Sequence, residues 1–234
     1  MLAGLFRVVR ITQDDAHIFC TQEQLQNEME SIFKLIDIIY KQTFGFDYGL
    51  ELSTRPEKFM GEKKDWDAAE KALENSLKKA KIKYKLSKGN GAFYGPKIDL
   101  HITDSLGRNW QCATIQLDMQ MPRRFEITYV GNDNKEYTPL VIHRAIFGSM
   151  ERFIGILLEH LNGNLPLWLS PMQVRLINFT DRNIKAAEKI VKDLQKEIPN
   201  LRIDCDFKST TVSDKIRDSS LLKIPFTLVM GDKE

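Results

Sequence analysis

Cysteine is scarce and scattered. Cys20, Cys112 and Cys205 stand far apart with no paired spacing, so neither a disulfide framework nor a thiolate zinc site is read from them, and a reducing, cytosolic setting is expected. No apolar run approaches the about 20 residues that span a bilayer, which argues against a membrane partner. Met1 to Val9 contains Arg7 and lacks a long apolar centre with a small-residue cleavage site, so no signal peptide is expected. Charge of one sign is also missing. The chain has 34 Lys and Arg against 32 Asp and Glu, a net +2, too mild to draw nucleic acid by bulk attraction, although local clusters can still do so. There is no internal repeat and no low-complexity tract. What is present is the balance of a globular chain: 234 residues, 42% hydrophobic and 28% charged, enough for one large domain or two smaller ones.

Residues 5–20 alternate as a strand does, and the chain begins inside that pattern, which leads us to expect a segment upstream. Thr21 is placed to cap a helix carrying Leu25, Met29, Ile32, Phe33, Ile36 and Tyr40 at helical spacing and ending before Gly45. Leu50 to Thr54 reads as a short strand. Asp65 to Lys81 reads as a helix with Trp66, Ala69, Leu73 and Leu77 inward and lysines outward. A glycine-rich turn, Gly89 to Pro96, enters an alternating strand, Lys97 to Thr103. Asp104 to Arg108 then turns back through Trp110 to Met119, and short turns between consecutive strands predict an antiparallel sheet. Phe125 to Val130 and Leu140 to Ile142 add strands, and Ala145 to Leu161 a long apolar helix. After the breakers at Asn162 to Pro166 and Ser170-Pro171 the pattern becomes strand, helix, strand, helix, strand, a small parallel or mixed α/β sheet. We therefore expect domains at 1–167 and 168–234.

Within "TQDDAH", residues 12–17, alternation would place Gln13, Asp15 and His17 on one face, with Arg7 on the same parity. A face polar in this way needs a reason. His17 and His143 are each open to two readings, a metal ligand or a hydrogen-bonded histidine, and zinc normally takes at least three protein ligands. Arg144, Ser149 and Arg152 are expected on the helix beside Ile146, Met150 and Phe153, where an arginine needs either an anionic ligand or a carboxylate partner. Gly91 to Lys97 admits a ligand cradle or an ordinary turn.

Longer strings narrow these choices. "RVVRITQDDAHIFCT", "LSTRPEKFMG", "GAFYGPKIDLHI", "WQCATIQLDMQMPRRFEITYVG" and "PLVIHRAIFGSMERFIGILLEHLNGNLPLWLSPMQV" together resemble the bacterial-type threonyl-tRNA synthetase family, in order and from about Leu5 to Glu234. The resemblance implies an α+β, antiparallel-sheet class II synthetase catalytic domain, partial, followed by a small α/β anticodon-binding domain. It implies threonine–tRNA ligase activity: threonine and ATP form threonyl-adenylate, and threonine passes to the 3′ end of tRNA(Thr). ATP, Mg2+ and Zn2+ are the implied cofactors, and a cytoplasmic homodimer the implied form.

Residue by residue, Arg7 matches a catalytic arginine that contacts phosphate, and Arg152, with Ser149 near it, a second catalytic arginine on ATP. Gln111 matches a nucleotide contact. Gln13, Asp15, Tyr94 and Gln116 match residues around threonine, with Lys97 in the same pocket string. His17 and His143 match two of three zinc ligands, and the zinc takes the substrate's amino and hydroxyl groups. A site built for a hydroxyl rejects valine by about 10⁴ or more; serine keeps the hydroxyl and is not well excluded. Asn134, Lys208, Lys215, Arg217 and Glu234 are the implied tRNA contacts. Plain alternation puts Gln111 and Gln116 on opposite faces of their strand, so either a bulge or a second approach to the ligand is expected there.

The sequence also departs from the family. The first motif, the leading arginine and glutamate of the second, and the third zinc ligand are expected upstream of residue 1, so two histidines alone should hold zinc poorly and the isolated chain should aminoacylate little. Ile11 stands where an aromatic stacks on adenine, and Ser209 to Asp214 replaces a more basic anticodon loop. A non-catalytic tRNA-binding paralogue is the rival these departures suggest.

Overall fold

The computed structural model describes residues 2–104 and 106–232. The chain divides into two compact units, Met1–Leu157 and Leu158–Glu234.

In the first unit six strands form one sheet in the order β1-β8-β5-β4-β2-β3. They are β1 (Ala16–Cys20), β2 (Tyr48–Ser53), β3 (Tyr84–Ser87), β4 (Lys97–Thr103), β5 (Asn109–Asp118) and β8 (Leu140–Ala145); β6 (Tyr129–Val130) and β7 (Glu136–Tyr137) make a separate small hairpin. All neighbours in the large sheet are antiparallel except β2 and β3. Sequence reading left β3 out: Lys81, at φ 56°, turns the chain out of α2 (Lys63–Lys79) and lets four residues lie parallel to β2.

Helix α1 (Leu25–Ile36) runs on as a π-helical stretch, Asp37–Thr43. It follows a turn in which the Thr21 and Gln24 side chains each accept the other's backbone N–H. The inward residues of α1 and α2 are those the 3.6-residue period selects, Met29, Ile36, Trp66 and Leu73 among them, each at most 1% exposed. Tyr40 is fully buried, and its hydroxyl donates to the carbonyl of Ile146 at 2.6 Å. Tyr40→Phe keeps the ring and strands that carbonyl, so urea unfolding is expected to show a loss of about 1–2 kcal/mol.

Three expected elements differ. Residues 5–15 are not a strand: apart from isolated bridges near Ala3, extended pairing begins at Ala16. The Thr12 N–H donates to the Glu151 carboxylate and its carbonyl accepts from Met150 N, so side-chain and helix-start partners replace a ladder. Phe125 to Val130 is mostly irregular. Pro122 lies in a single helical turn, α3 (Met121–Arg124), and Glu126 at φ 54° breaks extension until Tyr129. The helix expected from Ala145 starts later, as α4 (Met150–His160). His143 and Arg144 are therefore strand residues, and Ser149 precedes the helix, because Gly148 adopts φ 65° between them.

The second unit has a parallel sheet in the order β10-β9-β11, from β9 (Val174–Asn178), β10 (Ile203–Asp206) and β11 (Phe226–Met230). It is crossed by α5 (Ile184–Glu197) and α6 (Val212–Leu221). Leu176, Ala187 and Met230 form its core, with Ile190, Val191 and Phe207 against them. No helix among the described residues is long and apolar enough to cross a membrane.

Candidate active site

Of the two ways to bring Gln111 and Gln116 to one side, the strand takes the bulge. Asp99 pairs with Thr114 and His101 with Gln111, so Leu100 of β4 opposes two residues of β5, Cys112 and Ala113. Both bulged residues are buried, and the extra residue brings Gln111, Thr114 and Gln116 to one side. Gln111 Nε2 donates to Asp99 Oδ1 at 2.6 Å and Thr114 Oγ1 donates to the same oxygen at 3.1 Å. Lys97 Nζ lies 2.9 Å from Asp99 Oδ2, which also accepts from Ser53 Oγ at 3.0 Å.

Farther along the same face, Gln116 is directly opposite Lys97 on one side and His143 on the other. The Tyr94 hydroxyl donates to Gln116 Oε1. Burial, reinforced by the charges of Asp118 and Asp15, raises the Tyr94 pKa, so it stays a protonated donor. His17 and His143 are cross-strand partners with ring centroids 4.5 Å apart, and Tyr94 lies 5.7 Å from the His143 ring. His143 Nε2 is 3.0 Å from Asp118 Oδ2, and the Asp118 carboxylate also accepts from the backbone N–H groups of Gln120 and Met121. Burial alone would raise the Asp118 pKa; the His143 and backbone hydrogen bonds outweigh it and hold the carboxyl below its usual range.

Those two imidazoles are the metal donors in view. Among the described residues no group of three His, Cys, Asp or Glu is placed to hold a metal ion, and two donors fall short of the three protein ligands of a catalytic zinc. The residues present do not by themselves fit zinc. Burial pushes the Cys20 thiol up to about 11 and that of Cys112 to about 12, so neither offers a thiolate at neutral pH.

The segment 12–15 is held by a residue that alternation passed over. Asp14 accepts from Arg144 Nη1 at 2.9 Å and from the backbone N–H groups of Ile146 and Phe147 at 2.9 and 3.0 Å. This settles Arg144 as a carboxylate partner and leaves Gln13, Asp15 and His17 exposed. At the other end of the face, Arg152 donates to the carbonyls of Phe6 and Gln111 and lies over the Trp110 ring at 5.5 Å; Phe6 and Trp110 stack at 5.0 Å. Ser149 Oγ donates to Glu151, whose carboxylate, accepting first from Thr12 N, is lowered to about 2. Arg7, the residue after Phe6, is exposed and enters no ion pair among the described residues.

Asp104, buried at the β4–β5 turn, accepts from Trp110 Nε1, Arg108 Nε and the backbone N–H groups of Leu106 and Arg108. Burial pushes its pKa up, but these donors prevail and hold it at about 2. A depressed folded value stabilises above the unfolded value of about 3.9 and is lost as pH falls through the folded one. Trp110 fluorescence is thus expected to hold steady down to about pH 4 and to report progressive loosening between about pH 4 and pH 2, with Asp104→Asn removing much of that dependence.

The expected tRNA contacts do not all reach the surface. Asn134 lies in the β6–β7 hairpin at φ 55° and is exposed. In the second unit Lys208 is exposed and Arg217 is exposed while paired with Asp214. Lys215 corrects the expectation of a surface cation: it is 3% exposed and its ammonium donates to Asn178 Oδ1 at 2.6 Å, tying α6 to β9. Glu234 lies outside the described residues.

Residues 1–161 match the tRNA synthetase class II core domain (G, H, P, S and T), and residues 173–234 match the anticodon binding domain. The chain belongs to the class II tRNA synthetase family. Within it, the chain is 51% identical over 233 residues to the threonine--tRNA ligase of Clostridium tetani and 51% identical over 234 residues to that of Thermotoga petrophila. All of this chain is covered in both cases, and it spans 36% of the length of each relative. Among solved structures, the RNA binding domain of threonyl-tRNA synthetase from Cryptosporidium parvum Iowa II superposes with TM-score 0.94 at 42% identity, covering 99% of this chain and 58% of that one. A putative threonyl-tRNA synthetase from Aeropyrum pernix gives TM-score 0.82 at 30% identity, covering 100% and 55%.

Proposed function

We propose that this chain carries a substantial part of the threonine- and ATP-binding site of a threonine–tRNA ligase, joined to an anticodon-binding unit, with the division at 167/168, inside the stretch that neither family match covers. One observation carries the reading: residues far apart in sequence, Tyr94, Lys97, Gln111, Gln116 and His143, converge on one face of the sheet. In the proposed reaction a threonine carboxylate oxygen attacks the α-phosphate of ATP and pyrophosphate leaves, with no covalent bond to protein. The protein's part is then positioning and charge stabilisation. Tyr94, Gln116, Asp15 and Gln13 would surround threonine. Arg152 is aimed by two carbonyls and a ring; a guanidinium has five donors, so donors are left for phosphate, and exposed Arg7 is the second arginine proposed for it. Mg2+ would enter on the nucleotide phosphates, as it does where few protein carboxylates are offered.

His17 and His143 are proposed as two of the donors toward zinc. Lys208 and Arg217 are the tRNA contacts proposed in the second unit. Free cysteines agree with the proposed cytoplasmic setting, and a homodimer is the proposed assembly.

The test is a chimaera in which residues 1–234 replace the matched segment of the Clostridium tetani relative. Threonine-dependent exchange of pyrophosphate into ATP is expected, absent with proline. Folded chimaera with tRNA binding but no exchange would favour the non-catalytic paralogue.

A further inference from the structure

Asp99 was not singled out in the sequence, yet its carboxylate receives more of the proposed site than any residue that was. It is 4% exposed and accepts from side chains on three strands: Ser53 of β2, Lys97 of its own strand, and Gln111 and Thr114 of β5. We propose that Asp99 is a positioning residue shared by the two halves of the site, holding Lys97 on the amino-acid side and Gln111 on the nucleotide side. The inference rests on the functional reading above.

The chemistry follows from the donor set. A carboxylate offers only acceptors, so the Gln111 amide must turn its nitrogen inward, which presents its oxygen outward. Gln111 therefore offers a ligand its oxygen as an acceptor, suited to a hydroxyl or amino group of the nucleotide, beside one remaining amide N–H. On the other half, Lys97 has a side chain 18% exposed, and Asp99 has one 6% exposed. Removing the acid from such a pair leaves a nearly buried ammonium without a counter-charge. The two arms depend on the bulge at Cys112 and Ala113, since without it Gln111 would point to the other face. A single oxygen, Oδ1, accepts from Gln111 and Thr114 across the bulge, so Asp99 reads the register of β5 directly.

The test uses NMR titration of the full chain with Mg–ATP and, separately, with L-threonine. Asp99→Asn is expected to weaken both ligands by about tenfold or more, whereas Gln111→Ala weakens ATP alone and Lys97→Ala threonine alone. Ser53→Ala, which removes one donor and leaves the carboxylate, should weaken both by a smaller, parallel factor, and it serves if Asp99→Asn does not fold. The Gln111 amide proton given to Asp99 should exchange more slowly in the native chain than in Asp99→Asn, where a neutral oxygen accepts it more weakly, whatever ligand binds. Unchanged affinities and slow amide exchange in a folded Asp99→Asn chain would overturn the role given to Asp99. So would a loss confined to one ligand, or variants that lower the thermal midpoint while both affinities hold. A native chain binding neither ligand would overturn the functional reading, and the amide exchange would still decide whether Asp99 holds Gln111.

Discussion

Gly148→Ala is expected to destabilise the first unit by about 4 kcal/mol or more, at the far end of single-residue effects. Two costs add. The backbone there has φ 65°, a conformation that disfavours any side chain by about 1–2 kcal/mol. A Cβ built on it would also meet the Cys112 carbonyl oxygen at 2.3 Å and its carbon at 3.1 Å. Because the obstruction is backbone, no side-chain rotation relieves it, and either the turn before α4 or the bulge of β5 must move. Gly148 sits between β8 and the start of α4, so the displacement reaches Arg152 on one side and Gln111 on the other. Urea unfolding and ATP titration should therefore fall together. An alanine variant with native stability and ATP affinity would show that the close approach of Gly148 to Cys112 does not constrain the site.

Asp14→Ala is expected to cost about 2–3 kcal/mol and to weaken threonine binding, although Asp14 turns away from the polar face. Its carboxylate satisfies two backbone N–H groups and the Arg144 guanidinium, and hydrogen bonds to charged groups are the stronger kind. Without it residues 13–15, which carry Gln13 and Asp15, are held only at their ends, by the bonds of Thr12 to Glu151 and Met150 and by the β1 ladder from Ala16. Asp15→Ala is the matched control: Asp15 is exposed, so stability should hold while threonine binding falls. The two neighbours thus separate anchoring from contact, in urea unfolding read beside threonine titration. Equal stability in the two variants would contradict the division.

The pair also shows where sequence reading ends. Helices α1 and α2 and the β4–β5 hairpin were legible because each has its own period, and Tyr94, Gln116 and His143, which the family strings named, lie side by side in the fold. Alternation misled over residues 5–15, because the group that takes the Thr12 N–H is a carboxylate 139 residues away. The bulge could be expected from the need to bring Gln111 and Gln116 together, and it carries a local signature: two adjacent small residues, Cys112-Ala113, where one should face outward. Asp99 carries none. Alternation places it beside Lys97, but its worth comes from Ser53 and from β5, contacts that exist only once three strands are in register. Lys215 reads as one more surface cation; only the fold shows its ammonium given to Asn178.

The central claim is that this polar face is where threonine and ATP meet. It is tested most directly by equilibrium titration of a non-hydrolysable sulfamoyl analogue of threonyl-adenylate into the full chain and into Lys97→Ala, Gln111→Ala and Gln116→Ala. The account predicts one site, weakened by each substitution, with the valyl analogue binding in the native chain no better than the threonyl one. Binding of the threonyl analogue that none of the three substitutions changes would contradict it.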